Sequence, residues 1–258
     1  MKVMYSVRSH KGNVRENNED NFFADGITIP STLGNRPFSV AGNAITPFVL
    51  AVCDGMGGEE SGELASGITA RKLNELQRIV RTTGAKCYDA MVQSVINSSC
   101  AEIKSICNRS GTTLALAIVS NKGTYCYNIG DSRIYCLKNG AFSQITNDHT
   151  QGAEIAGTGI ITHNLSRREK GGNKLTRCIG IGNCSDVDGY PKISGTFRLM
   201  ICSDGLSDMV SDEEIKDIMS ESDVTSQVAE NLLQRALANG GKDNVTVIVA
   251  DIQNSLFR

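Results

Sequence analysis

Residues 48–55 read Phe-Val-Leu-Ala-Val-Cys-Asp-Gly, so six apolar residues lead directly into a carboxylate and a glycine. Residues 199–205 repeat this arrangement as Leu-Met-Ile-Cys-Ser-Asp-Gly. A short apolar run that is bounded by turn residues is typical of a buried strand. The two runs therefore predict strands at 48–53 and 197–202 in the interior of a sheet, which deliver the carboxylates Asp54 and Asp204 at their C-terminal ends.

Further elements are predicted on both sides of these two runs. Stretches rich in β-branched and aromatic residues predict strands at 3–7, 113–119, 124–129, 133–137 and 245–252. Apolar residues at helical spacing predict two helices between residues 62 and 108 and another at about 224–239, and Ser211 with the acids after it predicts a shorter one. Because the strands come in runs, the pattern favours an α+β domain with mainly antiparallel sheets.

Length and composition limit the number of domains. The chain has 258 residues, of which 40% are hydrophobic and 21% charged, and its formal net charge is −2. Such a chain can bury a large core, and no low-complexity tract divides it. Three of the four prolines fall within 30–47, which we interpret as a surface loop rather than a linker. We expect a single domain over 1–258.

Several classes of protein are disfavoured. No apolar run approaches the roughly 20 residues that span a bilayer, and the N-terminus lacks the apolar core of a signal peptide. The near-neutral charge argues against a nucleic-acid partner. The nine cysteines include no Cys-x-x-Cys pair, so most of them are expected to be reduced core thiols. We therefore expect a cytoplasmic protein that binds neither membrane nor nucleic acid.

Acidic residues recur beside Gly or Asn where predicted strands begin or end. They are Glu19, Asp20, Asp54, Asp131, Asp204 and Asp243. Each one alone is ordinary turn chemistry. Several buried carboxylates in one place, however, repel one another and require a cation. Since only oxygen ligands are on offer, Mg²⁺ or Mn²⁺ is favoured over Zn²⁺.

These motifs, in this order, resemble those of the metal-dependent protein phosphatases, the type 2C or PPM serine/threonine phosphatases. The run Arg15-Glu16-Asn17-Asn18-Glu19-Asp20 resembles their opening motif, and Asp54-Gly55-Met56-Gly57-Gly58 resembles the second motif of the bacterial branch. The remaining motifs follow over essentially the whole chain: Gly111-Thr112-Thr113, Gly130-Asp131-Ser132-Arg133, Thr146-x-Asp148-His149, Leu175-Thr176-Arg177, Ser203-Asp204-Gly205-Leu206-x-Asp208 and Gly240-Gly241-x-Asp243-Asn244.

The resemblance implies a fold and an activity. The fold is a four-layer α-β-β-α sandwich of two antiparallel sheets flanked by helices, with a flap subdomain at about 149–176. The activity is hydrolysis of phosphoserine and phosphothreonine in proteins by direct attack of a metal-bridging water or hydroxide. The implied partners are phosphoproteins and a cognate Ser/Thr kinase of eukaryotic type, and we expect a monomer.

The resemblance also implies a site. Two tightly held Mn²⁺ or Mg²⁺ ions are bridged by Asp54, with the Gly55 carbonyl on one of them and with Asp204 and Asp243 on the other. The remaining candidates carry supporting roles. Glu19 and Asp20 act largely through metal-bound waters, Arg15 binds the phosphate, and Asp131 and Asp208 are candidates for a third, weaker metal site.

The sequence departs from the family at two positions. Met56 stands where many eukaryotic members have a His proposed as general acid, and Met cannot donate a proton. Glu59 stands where bacterial members often have His, and it receives no role. Outside those positions, His149 is interpreted as structural rather than catalytic. The basic segment 164–177, with Arg167, Arg168 and Lys170, is expected to bias peptide choice.

Two other functions stay open on the sequence. One is a pseudophosphatase that binds phosphoproteins without hydrolysing them, against which the intact Asp54, Asp204 and Asp243 argue. The other is a different metallohydrolase, such as a small-molecule phosphatase or a nuclease. The near-neutral charge and the lack of interleaved basic and aromatic residues disfavour the nuclease.

Overall fold

In the computed structural model of the chain, the described residues are 1–57, 61–83, 88–107, 109–157, 173–182 and 186–253. They form two larger antiparallel sheets. The five-stranded sheet has the order β11-β8-β7-β4-β2. Its strands in chain order are β2 (Asn21–Ala24), β4 (Phe48–Cys53), β7 (Leu114–Ser120), β8 (Gly123–Ile129) and β11 (Asp188–Gly189).

The six-stranded sheet has the order β10-β9-β12-β13-β1-β3. Its strands are β1 (Lys2–His10), β3 (Phe38–Ile45), β9 (Arg133–Lys138), β10 (Ala141–Gln144), β12 (Phe197–Cys202) and β13 (Val245–Gln253). A separate two-residue pair, β5 (Gly55–Met56) with β6 (Gly111–Thr112), continues from the end of β4. This pairing holds Gly55 and Met56, the two residues that directly follow Asp54, in place.

The helices cover the outer faces of both sheets. On the five-stranded sheet lie α1 (Gly62–Thr83) and α2 (Tyr88–Ile106). On the six-stranded sheet lie α4 (Asp204–Ser207), α5 (Asp212–Glu221) and α6 (Thr225–Ala238). A short helix, α3 (Gln151–Gly157), and a 3-10 turn at Ser31–Leu33 complete the set among the described residues. None of these helices is long and apolar enough to cross a membrane.

Three apolar clusters hold the four layers together. The middle cluster joins the inner faces of the two sheets and includes Val7, Leu50 and Ile248. The outer clusters join each sheet to its helices. Strands β4 and β12 are buried along their whole length because both faces of each sheet are covered, which explains their unbroken apolar sequences. The predicted α+β sandwich is confirmed.

The strands predicted from sequence are present, and one prediction needs correction. Residues 38–45, interpreted as part of a surface loop, form β3 at the edge of the six-stranded sheet. Phe38 and Val40 pack against the middle cluster, so inward and outward side chains alternate along β3. The prolines on either side led to the interpretation of this segment as a loop. Cys100 is disulfide-bonded, whereas Cys53, Cys126, Cys136 and Cys202 are buried free thiols as expected.

Candidate active site

The predicted acids lie at one edge of the sandwich because neighbouring antiparallel strands alternate in direction. Strand β4 ends next to Asp54, and β2 starts directly after Asp20, with Asn21 opposite Cys53. In the other sheet, β12 ends two residues before Asp204, and β13 starts after Asp243 and Asn244. Strand ends that are far apart in sequence therefore converge at a single place.

Asp54 stands at the centre of the cluster electrostatically. Burial, followed by the charges of Asp20, Asp204, Asp131 and Asp243, raises the pKa of Asp54 well above its ordinary value. Its backbone is held rigidly by two threonines. The Asp54 amide donates to Thr113 Oγ1 at 3.0 Å, and Thr112 Oγ1 donates to the Asp54 carbonyl at 2.9 Å.

Asp20 is almost fully buried and only partly satisfied. Ser203 Oγ donates to its Oδ2 at 2.8 Å, whereas Oδ1 has no hydrogen-bond partner. Burial, and then the charges of Asp204 and Asp243, raise the pKa of Asp20 to about 7, although the nearby hydroxyls of Thr246 and Ser203 oppose the shift. A buried carboxylate oxygen without a donor is one that a cation or an ordered water would satisfy.

Glu19 packs against the start of α1 so closely that only glycine fits at positions 55 and 62. A Cβ on Gly62 would lie 2.7 Å from Glu19 Cδ, and a Cβ on Gly55 would lie 2.2 Å from the Gly62 carbonyl oxygen. The Gly55 amide donates to the Glu19 carbonyl at 3.2 Å, and Ser66 Oγ donates to the same oxygen at 2.6 Å. The two glycines thus bring the predicted first and second motifs together.

Arg15 lies at the exposed rim of the cluster. Its Nη2 donates to Asp243 Oδ2 at 2.6 Å, and its side chain is 52% exposed. Asp243 Oδ1 accepts from the Asn244 amide at 2.8 Å. Arg15 is therefore beside the carboxylate cluster, on a side chain that is half exposed.

Asn244 organises the site, although the sequence reasoning gave it no role. Its Oδ1 accepts from the Glu19 amide at 2.7 Å, and its Nδ2 donates to the carbonyls of Lys11 and Asn17 at 2.9 and 2.8 Å. One amide side chain thus fastens the 11–19 segment to the start of β13. The sequence signal available for this role was the position of Asn244, a polar residue between Asp243 and the apolar strand β13.

The two candidates for the third site are placed differently. Asp131 is buried in the turn between β8 and β9. Asp208 is exposed and follows α4, where its amide donates to the Asp204 carbonyl at 2.8 Å, one turn away as the spacing predicted. Asp208 Oδ2 also accepts from Asn173 Nδ2 at 3.0 Å.

The chemistry of these donors fits hard divalent cations. The described residues contain no group of three or more His, Cys, Asp or Glu side chains that could hold an ion by themselves. Mg²⁺ and Mn²⁺ do not need such a cage, because Mg²⁺ in particular keeps several waters and takes one or two carboxylates. The unpartnered Asp20 Oδ1 and the raised pKa values of Asp20 and Asp54 show carboxylates that lack counter-charge.

Part of the predicted machinery lies outside the described residues. Gly58 and Glu59 fall in 58–60, and Arg167, Arg168 and Lys170 fall in 158–172. The flap predicted at about 149–176 is described only at its two ends. Those ends meet, since the Gln151 amide donates to the Lys174 carbonyl and the Thr176 amide donates to the His149 carbonyl, both at 2.9 Å.

Comparison with known proteins agrees with this geometry. The model of the family "Protein phosphatase 2C" matches residues 10–154. The serine/threonine phosphatase stp of Listeria welshimeri is 30% identical over 254 residues, covering 95% of this chain and 94% of that protein. The serine/threonine protein phosphatase PstP of Mycobacterium tuberculosis is 32% identical, covering 97% of this chain and 45% of that protein.

Solved structures share the whole fold. The crystal structure of the M. tuberculosis serine/threonine phosphatase PstP/Ppp superposes with a TM-score of 0.82 at 30% identity, covering 98% of this chain and 100% of that one. The catalytic domain of PstP in complex with 2 manganese ions gives 0.78 at 31% identity, with the same coverage. The chain therefore belongs to the protein phosphatase 2C family, and it is a protein phosphatase.

Proposed function

We propose that this chain removes phosphate from phosphoserine and phosphothreonine in proteins, with divalent cations held at the edge of the sandwich. The observation that carries the proposal is the convergence of Asp20, Asp54, Asp204 and Asp243, in which the charges of Asp204 and Asp243 help to raise the pKa values of Asp20 and Asp54. Such a cluster destabilises a fold unless cations occupy it. The serine/threonine phosphatases of Listeria and Mycobacterium support the same substrate class.

Two ions would be held by three carboxylates and one carbonyl. Asp54 would bridge them, the Gly55 carbonyl would ligate one, and Asp204 and Asp243 would ligate the other. Glu19 and Asp20 would orient bound waters, because both have backbones fixed by Asn244, Ser66 or β2. The PstP structure with manganese supports Mn²⁺, and the oxygen-only donors suit Mg²⁺ equally.

When bound, the ions would supply a water of lowered pKa for attack on phosphorus, charge neutralisation and, at a third weaker site on Asp131 and Asp208, a proton source. The chain's own residues bind and orient the phosphate. Arg15, at the exposed rim, would turn from Asp243 to a phosphate oxygen when substrate arrives, since guanidinium matches both partners bidentately. Met56 leaves the alkoxide without a proton donor at that position.

The domain and its partners complete the proposal. The chain would act as a single catalytic domain over 1–258, as a monomer, with the 149–176 segment as a flap beside the site. Its partners would be phosphoproteins that a cognate Ser/Thr kinase of eukaryotic type phosphorylates.

Turnover of a panel of phosphothreonine peptides tests the proposal. We expect activity with Mn²⁺ or Mg²⁺, none with excess chelator, and at least a roughly 100-fold loss in Asp204→Asn. Asp217→Asn is the matched control, because Asp217 is an exposed acid of α5 outside the cluster. Phosphopeptide binding without turnover in the wild type would instead identify a pseudophosphatase, and full turnover after demetallation would contradict the metal mechanism.

A further inference from the structure

His149 is a buried imidazole that the proposed chemistry does not use. It is 6% exposed and follows Asp148 in a loop ahead of α3. Its backbone and ring both contact Gly130, the residue directly before Asp131. The His149 amide donates to the Gly130 carbonyl at 2.9 Å, and the Gly130 amide donates to His149 Nδ1 at 3.0 Å.

The hydrogen bond from the Gly130 amide to Nδ1 fixes the tautomer of the ring. A backbone N–H can only donate, so Nδ1 carries no proton and the proton of the neutral ring is on Nε2. Nε2–H then donates to Asp188 Oδ2, which lies 3.0 Å away. Burial lowers the pKa of His149 first; the charge of Arg177 adds to this effect, while Asp188 and Asp148 oppose it.

Arg177 completes the arrangement. Its Nη1 lies 3.1 Å from His149 Nε2, but both atoms carry protons, so this approach is not a hydrogen bond. Arg177 instead donates from Nη2 to Asp188 Oδ1 at 2.9 Å. The Asp188 carboxylate therefore orients the ring of His149 and also binds Arg177, which directly follows the 149–176 segment.

The turn that His149 holds cannot relax easily. Gly130 has a φ of +102°, and a Cβ there would lie 2.6 Å from Thr113 Cγ2, so the backbone is in a conformation that glycine alone adopts comfortably. Asn128 Nδ2 donates to the Gly130 carbonyl at 3.2 Å, and Thr113 Oγ1 bonds Ser132 Oγ at 2.6 Å. The Gly130 amide, in contrast, is satisfied by the His149 ring.

We propose that His149 is a positioning residue: as the Nε2–H tautomer oriented by Asp188, it holds the Gly130 amide and thereby sets the position of Asp131. It also ties that turn to both ends of the 149–176 segment through Asp188, Arg177 and Thr176. The role of Asp131 in turnover rests on the proposed function. The hydrogen-bond assignment of His149 does not.

Two conservative substitutions separate the two functions of the ring. In His149→Asn, Oδ1 takes the place of Nδ1 and can still accept from Gly130, while the contact with Asp188 is lost. In His149→Gln, the amide nitrogen takes the place of Nε2 and can still donate to Asp188, while the Gly130 amide is left buried and unpaired. If the Gly130 contact is what matters, Asn retains turnover and Gln does not.

The kinetic test compares both variants with Asp131→Asn on a phosphothreonine peptide and on an aryl phosphate. We expect His149→Gln to lose about 10- to 100-fold in kcat on the substrate that Asp131→Asn slows most, and to follow the same substrate profile. His149→Asn should stay within about threefold of wild type. Tyr127→Phe controls for lost stability, since it removes the partly buried hydrogen bond from Tyr127 of β8 to Asp89 of α2 without touching the turn.

A second measurement does not depend on activity. Nitrogen-15 NMR of the His149 ring in the full chain should show a neutral imidazole protonated on Nε2 from pH 6 to 8. An Nδ1–H tautomer, an imidazolium, or equal losses in the Asn and Gln variants would overturn the proposal. If Asp131→Asn itself has no effect on turnover, the proposed third site fails, whereas the NMR result still decides the assignment of the ring.

Discussion

Replacing Asp20 by Asn should stabilise the metal-free protein even though Asp20 belongs to the proposed site. The Asp20 carboxylate is 3% exposed, its Oδ1 has no partner, and Asp204 and Asp243 repel it. Asn keeps the shape and removes the charge. Its carbonyl can still accept from Ser203, so the substitution leaves that hydrogen bond in place.

The magnitude follows from the shift in pKa. The pKa of Asp20 rises from 3.8 to about 7 on folding, and a shift of about 3 units corresponds to about 4 kcal/mol. Because the folded pKa is the higher one, the folded state binds the proton more tightly than the unfolded state. The penalty is thus absent below about pH 4, grows as pH rises, and is complete above about pH 7.

Neighbouring acids share this penalty. Asp20→Asn should therefore raise the free energy of unfolding by about 2 to 4 kcal/mol at pH 8 in the presence of chelator. In a domain of this size that is a rise in Tm of about 5 to 15 °C. The gain should fall to less than half at pH 5. Scanning calorimetry of both proteins at pH 5 and pH 8 measures it, and an equal change at both pH values would refute the reasoning.

Asp251→Asn is the matched control, because it removes a carboxylate that has a counter-charge. Arg198 donates from Nε and Nη2 to the two Asp251 oxygens at 2.6 and 2.8 Å, and Arg198 is 9% exposed. Losing Asp251 leaves a buried guanidinium without its charge partner, so Tm should fall at both pH values. The same chemical change is therefore expected to have opposite signs at the two positions.

Three further predictions concern metals and phosphate. Chelation should abolish turnover and readdition of Mn²⁺ or Mg²⁺ should restore it, as steady-state kinetics would show. Asp243→Asn should lose at least about 100-fold in kcat at limiting metal, and wild-type turnover there would remove Asp243 from the site. Arg15→Ala should lower kcat/KM for phosphopeptides. The metal affinity measured by calorimetry should stay at or above that of the wild type, since Arg15 pairs with Asp243 and its loss frees that carboxylate. Weaker metal binding would contradict the assigned role of Arg15.

The central strands could be predicted from sequence because burial on both faces leaves an unbroken apolar run. The prediction for β4 matched residues 48–53, and that for β12 matched residues 197–202. Edge strands carry a weaker signal. In β3 the inward side chains are only half buried, and in β10 four residues alternate between exposed and half-buried, so neither exceeds the signal of an ordinary loop.

The convergence of the carboxylates could be predicted because several acids, each of them ordinary turn chemistry alone, occur where buried strands begin or end. Their supports could not. Asn244 and Ser203 act through hydrogen bonds to residues more than 180 positions away, and no local spacing encodes such partners. The importance of Gly62 is similarly hidden, because it depends on the Glu19 side chain approaching a helix start from another motif.

The ion pair between Arg15 and Asp243 bears on the proposed role of Arg15 in binding phosphate. The Arg15 guanidinium donates to Asp243, which is also the carboxylate proposed to ligate an ion. A side chain that is half exposed contributes little to stability through such a pair. It can therefore leave Asp243 readily when a divalent cation or a phosphate offers stronger partners. Among the described residues, Asp20 and Asp54 have no such guanidinium partner, and their mutual repulsion favours the binding of cations at the cluster.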